Sequence, residues 1–148
     1  MPNIPDTTLT RRVIGCAIEV HAHLGRGLVA SVYETCLCEE LTTAGLTFAR
    51  RRSLPVRYKN RQLDACFQID IIVEETLALE IMAVDQFLPL DEARLLTYLR
   101  LSGYQLGLLV NFNAARLTDG IRRIANSIDR IDEVWTAEGE PAWRGRTP

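Results

Sequence analysis

The sequence contains almost no lysine: Lys59 is the only one among 17 basic residues, and the others are arginines. Any chemistry that requires a lysine must therefore use Lys59 or do without one. The chain also lacks a strong net charge, with a formal value of −2 and a pI of about 5.7. No global basic field attracts nucleic acid, which leaves only a local basic patch for that purpose.

Long hydrophobic runs are also missing. The opening MPNIPDTTLTRR has no apolar stretch of the kind found in signal peptides, and no run approaches the ~20 residues of a membrane span. We therefore expect a cytoplasmic protein with no membrane partner. Its cysteines are expected to be free thiols, and no second Cys/His pair stands at the spacing of a zinc site. The four cysteines are Cys16, Cys36, Cys38 and Cys66.

The chain does contain the periodicities of a globular α/β protein. The hydrophobic fraction of 47% in 148 residues predicts a single domain, which we place at residues 1–136, followed by an irregular tail at 137–148. The expected order is α-α-β-β-β-α-β-α, with a last helix that begins at Asp119-Gly120 and carries Ile121, Ile124 and Ile128. The strand–helix–strand step from LALEIMAV to QLGLLVN predicts a parallel pair, so the sheet is expected to be mixed and flanked by helices.

One carboxylate, Glu80, lies within the apolar strand LALEIMAV. If Glu74–Thr76 forms the preceding turn and Val73 faces Leu77, Asp70 lies directly across from Glu80. Opposed residues share a face with Cβ atoms ~5 Å apart. Strict alternation also predicts a common face for Leu63, Ala65, Phe67, Ile69, Ile71 and Val73.

Two carboxylates this close repel each other unless a metal ion, a proton or an arginine lies between them. Oxygen ligands suit Mg²⁺, Mn²⁺ or Ca²⁺. The pair therefore predicts a metal site that could serve phosphodiester chemistry. The alternative is a different register, in which one of the two carboxylates reaches solvent at a strand end.

Several stretches together resemble a known family, the small bacterial proteins named for a G-x-x-E-x-x-Y signature. They are VIGCAIEVHAHLGRGL, VASVYETCLCEEL, RYKNRQLDACFQIDIIVEE, LALEIMAV, LLTYLRLSGYQLGLLVNF and LTDGIRRI. The resemblance covers roughly residues 11–125. That family is similar to the PD-(D/E)xK, or restriction endonuclease-like, superfamily, which implies a mixed sheet flanked by helices and a metal-binding acidic core.

The resemblance implies five active positions, of which this chain keeps two. Asp70 and Glu80 match the acidic positions, and they are the residues that would hold Mg²⁺ or Mn²⁺ if the protein is active; otherwise no cofactor is expected. Met82 stands where the family has the lysine of E-x-K, Ala30 where it has the signature glutamate, and Arg94 where it has a glutamine.

These replacements lead to two functional interpretations. The first is a pseudoenzyme that keeps the nuclease-like fold and binds nucleic acid, a protein partner or a second copy of itself. The second is a weak metal-dependent nuclease that acts through Asp70 and Glu80. We hypothesise that Arg94 pairs with one or both carboxylates; alternatively it is a surface helix residue.

Two further groups of side chains are open to two interpretations each. The basic residues from Arg50 to Arg61 either contact phosphates or form a solvated strand edge. His21 and His23, two residues apart on a helix, face different ways, so packing or capping is expected rather than a metal pair.

Overall fold

The structure, a computed structural model, describes residues 8–126. The expected boundary between a domain at 1–136 and a tail at 137–148 lies outside these residues. Three α-helices are present in the described part of the chain: α1 (Thr8–Leu24), α2 (Ala30–Thr43) and α3 (Pro89–Ser102). Five strands accompany them: β1 (Phe48–Tyr58), β2 (Arg61–Val73), β3 (Leu77–Met82), β4 (Leu106–Asn111) and β5 (Ile121–Ala125).

The five strands form one sheet in the order β1-β2-β3-β4-β5. Strands β3 and β4 run parallel with α3 as the crossover, and the other neighbouring pairs are antiparallel. The prediction of an α/β fold with a mixed central sheet is thus confirmed. Lys59 and Asn60 form the turn between β1 and β2, and both have a positive φ, as expected for a two-residue hairpin of this kind.

The predicted last helix is wrong. Leu117–Gly120 forms a single 3₁₀ turn, and Ile121–Ala125 pairs with β4 as the edge strand β5. The three-residue spacing of Ile121 and Ile124 fits a helix, but β4 is fully buried and its backbone groups need hydrogen-bond partners on both sides. The edge strand supplies them. Ile128 lies outside the described residues.

A hydrophobic core lies on each face of the sheet. Helices α1 and α2 cover one face, where Tyr33 is completely buried and stacks on Phe112 with ring centroids 4.7 Å apart. Helix α3 covers the other face through Leu95 and Leu99. Within residues 8–126 no helix combines the length and hydropathy needed to cross a bilayer, and all four cysteines are free thiols.

Strand β2 does not keep one apolar face along its whole length, contrary to the alternation expected from the sequence. Ile71 and Val73 pack into the core under α1 and α2, whereas Phe67 and Ile69 pack into the core under α3. The change of face falls at Asp70. The strand is therefore irregular at the position that carries the first candidate carboxylate.

Candidate functional site

The candidate site lies where the ladder between β2 and β3 ends. Backbone pairing runs from Val73–Leu77 to Ile71–Leu79, and its continuation would place Asp70 opposite Glu80, as the sequence predicted. Beyond this point backbone N–H groups of the two strands donate to side-chain carboxyl groups. Asp70 Oδ2 accepts the Ile81 N–H at 2.9 Å, and Glu80 Oε1 accepts the Asp70 N–H at 3.3 Å. The two carboxyl groups are thus held side by side by the separating strands.

The environment of this pair favours one shared proton. Burial, followed by the charge of Asp70, raises the pKa of Glu80 to about 8. Burial also raises the pKa of Asp70, although the Ile81 N–H opposes this. A hydrogen bond joins the two carboxyls, raising the pKa of Glu80 and lowering that of Asp70. At neutral pH the pair therefore shares one proton, which Glu80 holds, and keeps one negative charge.

Four of the five family positions line one cavity of about 470 Å³ between α2, β3 and α3, and Asp70 is not part of its wall. Glu80 lies in its wall together with Ala30, Met82 and Arg94. Met82 is half-buried and packs against the core under α3. The three positions at which the chain departs from the family pattern thus surround the retained glutamate.

Arg94 does not make the ion pair that we hypothesised. Within the described chain its ion pair is with Asp91, at 3.4 Å between Nη1 and Oδ1. Asp91 lies one turn earlier on α3, so the two side chains are neighbours on the helix surface, whereas the protonated Glu80 offers less attraction. Arg94 nevertheless lines the same cavity, and its charge slightly opposes the increase in the pKa of Glu80.

Lys59 cannot take the place of the missing lysine. It lies in the turn between β1 and β2, eleven residues along the chain from Asp70, with Nζ 5.4 Å from the centre of the Tyr58 ring. The cavity around Glu80 therefore contains no ammonium group from this chain among its described residues.

A third carboxylate lies near the pair: Glu34 on α2, one turn beyond Ala30, which the sequence did not identify as a relocated ligand and whose exposed fraction is only 4%. Arg50 donates to its Oε2 from Nη2 at 2.6 Å and from Nε at 3.0 Å, and Arg51 Nη2 lies 3.5 Å from the same oxygen. The negative charge of Glu34 acts on Asp70 and raises its pKa. Helical spacing from the buried Leu37 and Leu41 was the signal that could have identified Glu34 as inward-facing.

The two histidines bind different parts of the chain. His21 Nε2 lies 2.9 Å from the carbonyl oxygen of Ala114, and His23 Nδ1 lies 3.5 Å from Glu19 Oε1 in the preceding turn of α1. The structure therefore agrees with packing and capping roles.

The retained pair has the donor type of a hydrated divalent ion, because Mg²⁺ commonly binds one or two carboxylates and keeps several waters. The third acidic position is Ala30, which has no side-chain donor. Within residues 8–126, no cluster of three His, Cys, Asp or Glu side chains is arranged to hold a metal ion. Asp70 and Glu80 are thus the residues that would hold a Mg²⁺ or Mn²⁺ ion, and its binding would have to displace the proton on Glu80.

The mixed five-stranded sheet with helices on both faces is a nuclease-like α/β fold. The family model of the PD-(D/E)XK nuclease superfamily matches residues 7–124, and the chain belongs to that superfamily. The crystal structure of SSO0001 is similar, with a TM-score of 0.51 over 84% of this chain and 81% of that chain, at 14% identity. That likeness supports the fold alone. Comparison with curated proteins gives no match.

Proposed function

We propose that this protein is a degraded member of its superfamily that keeps the nuclease fold, has lost cleavage activity, and acts by binding nucleic acid or a partner protein. The finer assignment to the G-x-x-E-x-x-Y group, made from the sequence, belongs to the same proposal. The observation that carries it is Met82 in the cavity beside Glu80. A thioether has no charge to offset a developing phosphorane and no proton to exchange with water.

Three further features support the loss of cleavage. Ala30 provides no oxygen where the resemblance implies a ligand. Glu80 holds a proton at neutral pH because burial raises its pKa to about 8, so it is a poor ligand and a poor base there. Arg94 is paired with Asp91. Removal of one catalytic group typically costs 10²–10⁴-fold in rate, and here several groups are replaced together.

The second candidate function is a weak metal-dependent nuclease, and the retained pair of Asp70 and Glu80 favours it. A divalent ion held by these two carboxylates would polarise a phosphodiester and acidify a bound water. Asp70 and Glu80 would then orient that ion, and Arg94 would add positive charge on the α3 side of the cavity. This activity would increase at alkaline pH, where Glu80 loses its proton.

A cleavage assay at two pH values separates the two functions. Wild type and Asp70→Ala are incubated with duplex DNA, single-stranded DNA and RNA, in Mg²⁺ or Mn²⁺, at pH 7.0 and pH 8.5. The proposal expects no cleavage above that of Asp70→Ala in any condition. Metal-dependent cleavage that disappears in Asp70→Ala would refute it and support the nuclease.

A second arm tests whether the replaced residues are the cause. The variant Ala30→Glu/Met82→Lys/Arg94→Gln restores the family pattern, and Leu63→Gln, a substitution on the exposed part of β2, is the control. Metal-dependent cleavage by the triple variant alone supports the assignment of the three positions. Binding by the wild type is measured in parallel with the same nucleic acids, and sedimentation determines whether the chain forms a dimer.

A further inference from the structure

Arg51 occupies an interruption in the sheet directly beside Asp70. Strands β1 and β2 pair at Arg50–Ile71 and again at Arg52–Ile69, so Arg51 is the residue opposite Asp70. That one pair is missing from an otherwise regular stretch. Arg51 has a φ of 50°, a left-handed conformation that is strained for a non-glycine residue.

This conformation separates the two neighbouring arginines onto opposite faces of the sheet. Arg50 reaches Glu34 on α2, whereas Arg52 pairs with Glu75 at 2.5 Å and contacts the hydroxyl of Tyr104, beside the core under α3. The same interruption accounts for the change of face in β2 at Asp70. Strain at a single residue therefore places Arg51 at the site, and such strain is concentrated at functional positions in proteins.

The charges around Arg51 leave it available to an anion. Glu34 is already engaged by Arg50 through two hydrogen bonds, so the approach of Arg51 to 3.5 Å adds a second positive charge to one carboxylate. The Arg51 side chain is 56% exposed. A guanidinium carries five N–H donors in a planar fork that matches a phosphate, and the contact with Glu34 uses only one side of it.

We propose that Arg51 is an anion-binding residue that receives a backbone phosphate of nucleic acid next to Asp70, with Glu34 and Arg50 as its positioning residues. The inference rests on the proposed function, specifically on the proposal that the protein binds nucleic acid. In this arrangement the phosphate lies over the β1 side of the carboxyl pair, and the strained backbone keeps the guanidinium near Glu34 and Asp70. A purely structural role for Arg51 in shaping the strand is the competing explanation.

Arg51→Gly separates the two explanations because glycine accepts the left-handed backbone and removes only the cation. Arg57→Gln is the matched control, since Arg57 is an exposed arginine of the same strand and its loss changes the net charge equally. Binding of fluorescein-labelled 20-mer DNA and RNA is measured by anisotropy from 50 to 200 mM NaCl. Thermal unfolding is followed for every variant.

The proposal expects Arg51→Gly to weaken binding about tenfold and to reduce the salt slope by about one phosphate contact, with unchanged or increased thermal stability. The control should weaken binding less than twofold. Equal effects of the two substitutions, or a loss of affinity in Arg51→Gly that follows a loss of stability, would overturn the role of Arg51 while leaving nucleic-acid binding intact. If the wild type binds neither DNA nor RNA, both this inference and the nucleic-acid function are refuted.

Discussion

The protonated Glu80 makes a specific prediction about stability and pH. In the unfolded chain a glutamate has a pKa of about 4.3, whereas burial beside Asp70 raises the pKa of Glu80 to about 8 in the folded protein. At pH values between these two pKa values, the folded state binds one more proton than the unfolded state. The free energy of unfolding must therefore decrease as the pH rises, by up to about 1.4 kcal/mol per pH unit from this group.

The perturbation that tests this is Glu80→Gln. Glutamine is neutral at every pH, keeps an oxygen for the Asp70 N–H, and provides an N–H donor for the Asp70 carboxylate. From pH 5.5 to 7.5 the wild type should lose about 2–3 kcal/mol of stability through Glu80, and the variant should lose none of this amount. The variant should match the wild type near pH 5.5 and exceed its stability by about 2 kcal/mol at pH 7.5.

Urea unfolding followed by circular dichroism, under reducing conditions at pH 5.5, 6.5 and 7.5, measures this difference. Glu39→Gln, which removes an exposed carboxylate from α2, is the charge-matched control and should retain the wild-type slope. Parallel pH profiles for wild type and Glu80→Gln would contradict the shared proton and the argument that Glu80 is a poor ligand at neutral pH.

Two further substitutions test the packing that supports the site. Gly107→Ala would place a Cβ 3.0 Å from Leu95 Cδ2, so urea unfolding should show that the protein loses about 1–2 kcal/mol of stability. The control is Gly15→Ala, in open space on α1, which should stabilise the protein. Equal effects of the two substitutions would refute the close contact between α3 and β4. Glu34→Gln weakens a buried, doubly paired carboxylate and should destabilise by about 2 kcal/mol. Glu75→Gln, which removes an exposed partner of one arginine, should have a much smaller effect, and the reverse order would contradict the structural importance of Glu34.

Local patterns were sufficient to predict most of the architecture and the carboxyl pair. A polar turn at Glu74–Thr76 fixes the register of β2 on β3, because each strand has a period of two and a one-residue shift would expose its apolar side chains. That register alone brings Asp70 to Glu80. The parallel relation of β3 and β4 follows from the helix between them.

The remaining features depend on contacts that no local pattern encodes. The left-handed backbone of Arg51 accompanies the partners that its neighbours find on opposite faces of the sheet, and Arg51 itself carries no signal for it. The position of β5 is determined by the hydrogen-bonding demand of β4, and the segment around Ile121 and Ile124 satisfies a helical period equally well. The pairing of Arg94 with Asp91, and not with the carboxyl pair, depends on the tertiary position of these side chains.

The charges at the five family positions explain why the replacements belong together. In the pattern that the resemblance implies, three carboxylates and one lysine leave a net charge of −2, which a divalent cation neutralises. In this chain Ala30 removes one negative charge, Met82 removes the positive one and Arg94 adds another in its place. The proton on Glu80 then leaves one negative charge on the carboxyl pair and the positive charge of Arg94. These five positions therefore carry no net charge without a metal ion; Asp91, the partner of Arg94, is not one of the five. Met82→Lys alone would give these positions a net positive charge and should not recover cleavage. Adding Ala30→Glu makes their net charge zero. Adding Arg94→Gln then makes the net charge negative, as metal binding requires. Isothermal titration with Mn²⁺ should therefore detect stronger binding only as the later substitutions are added, and strong binding by the single variant would refute this electrostatic account.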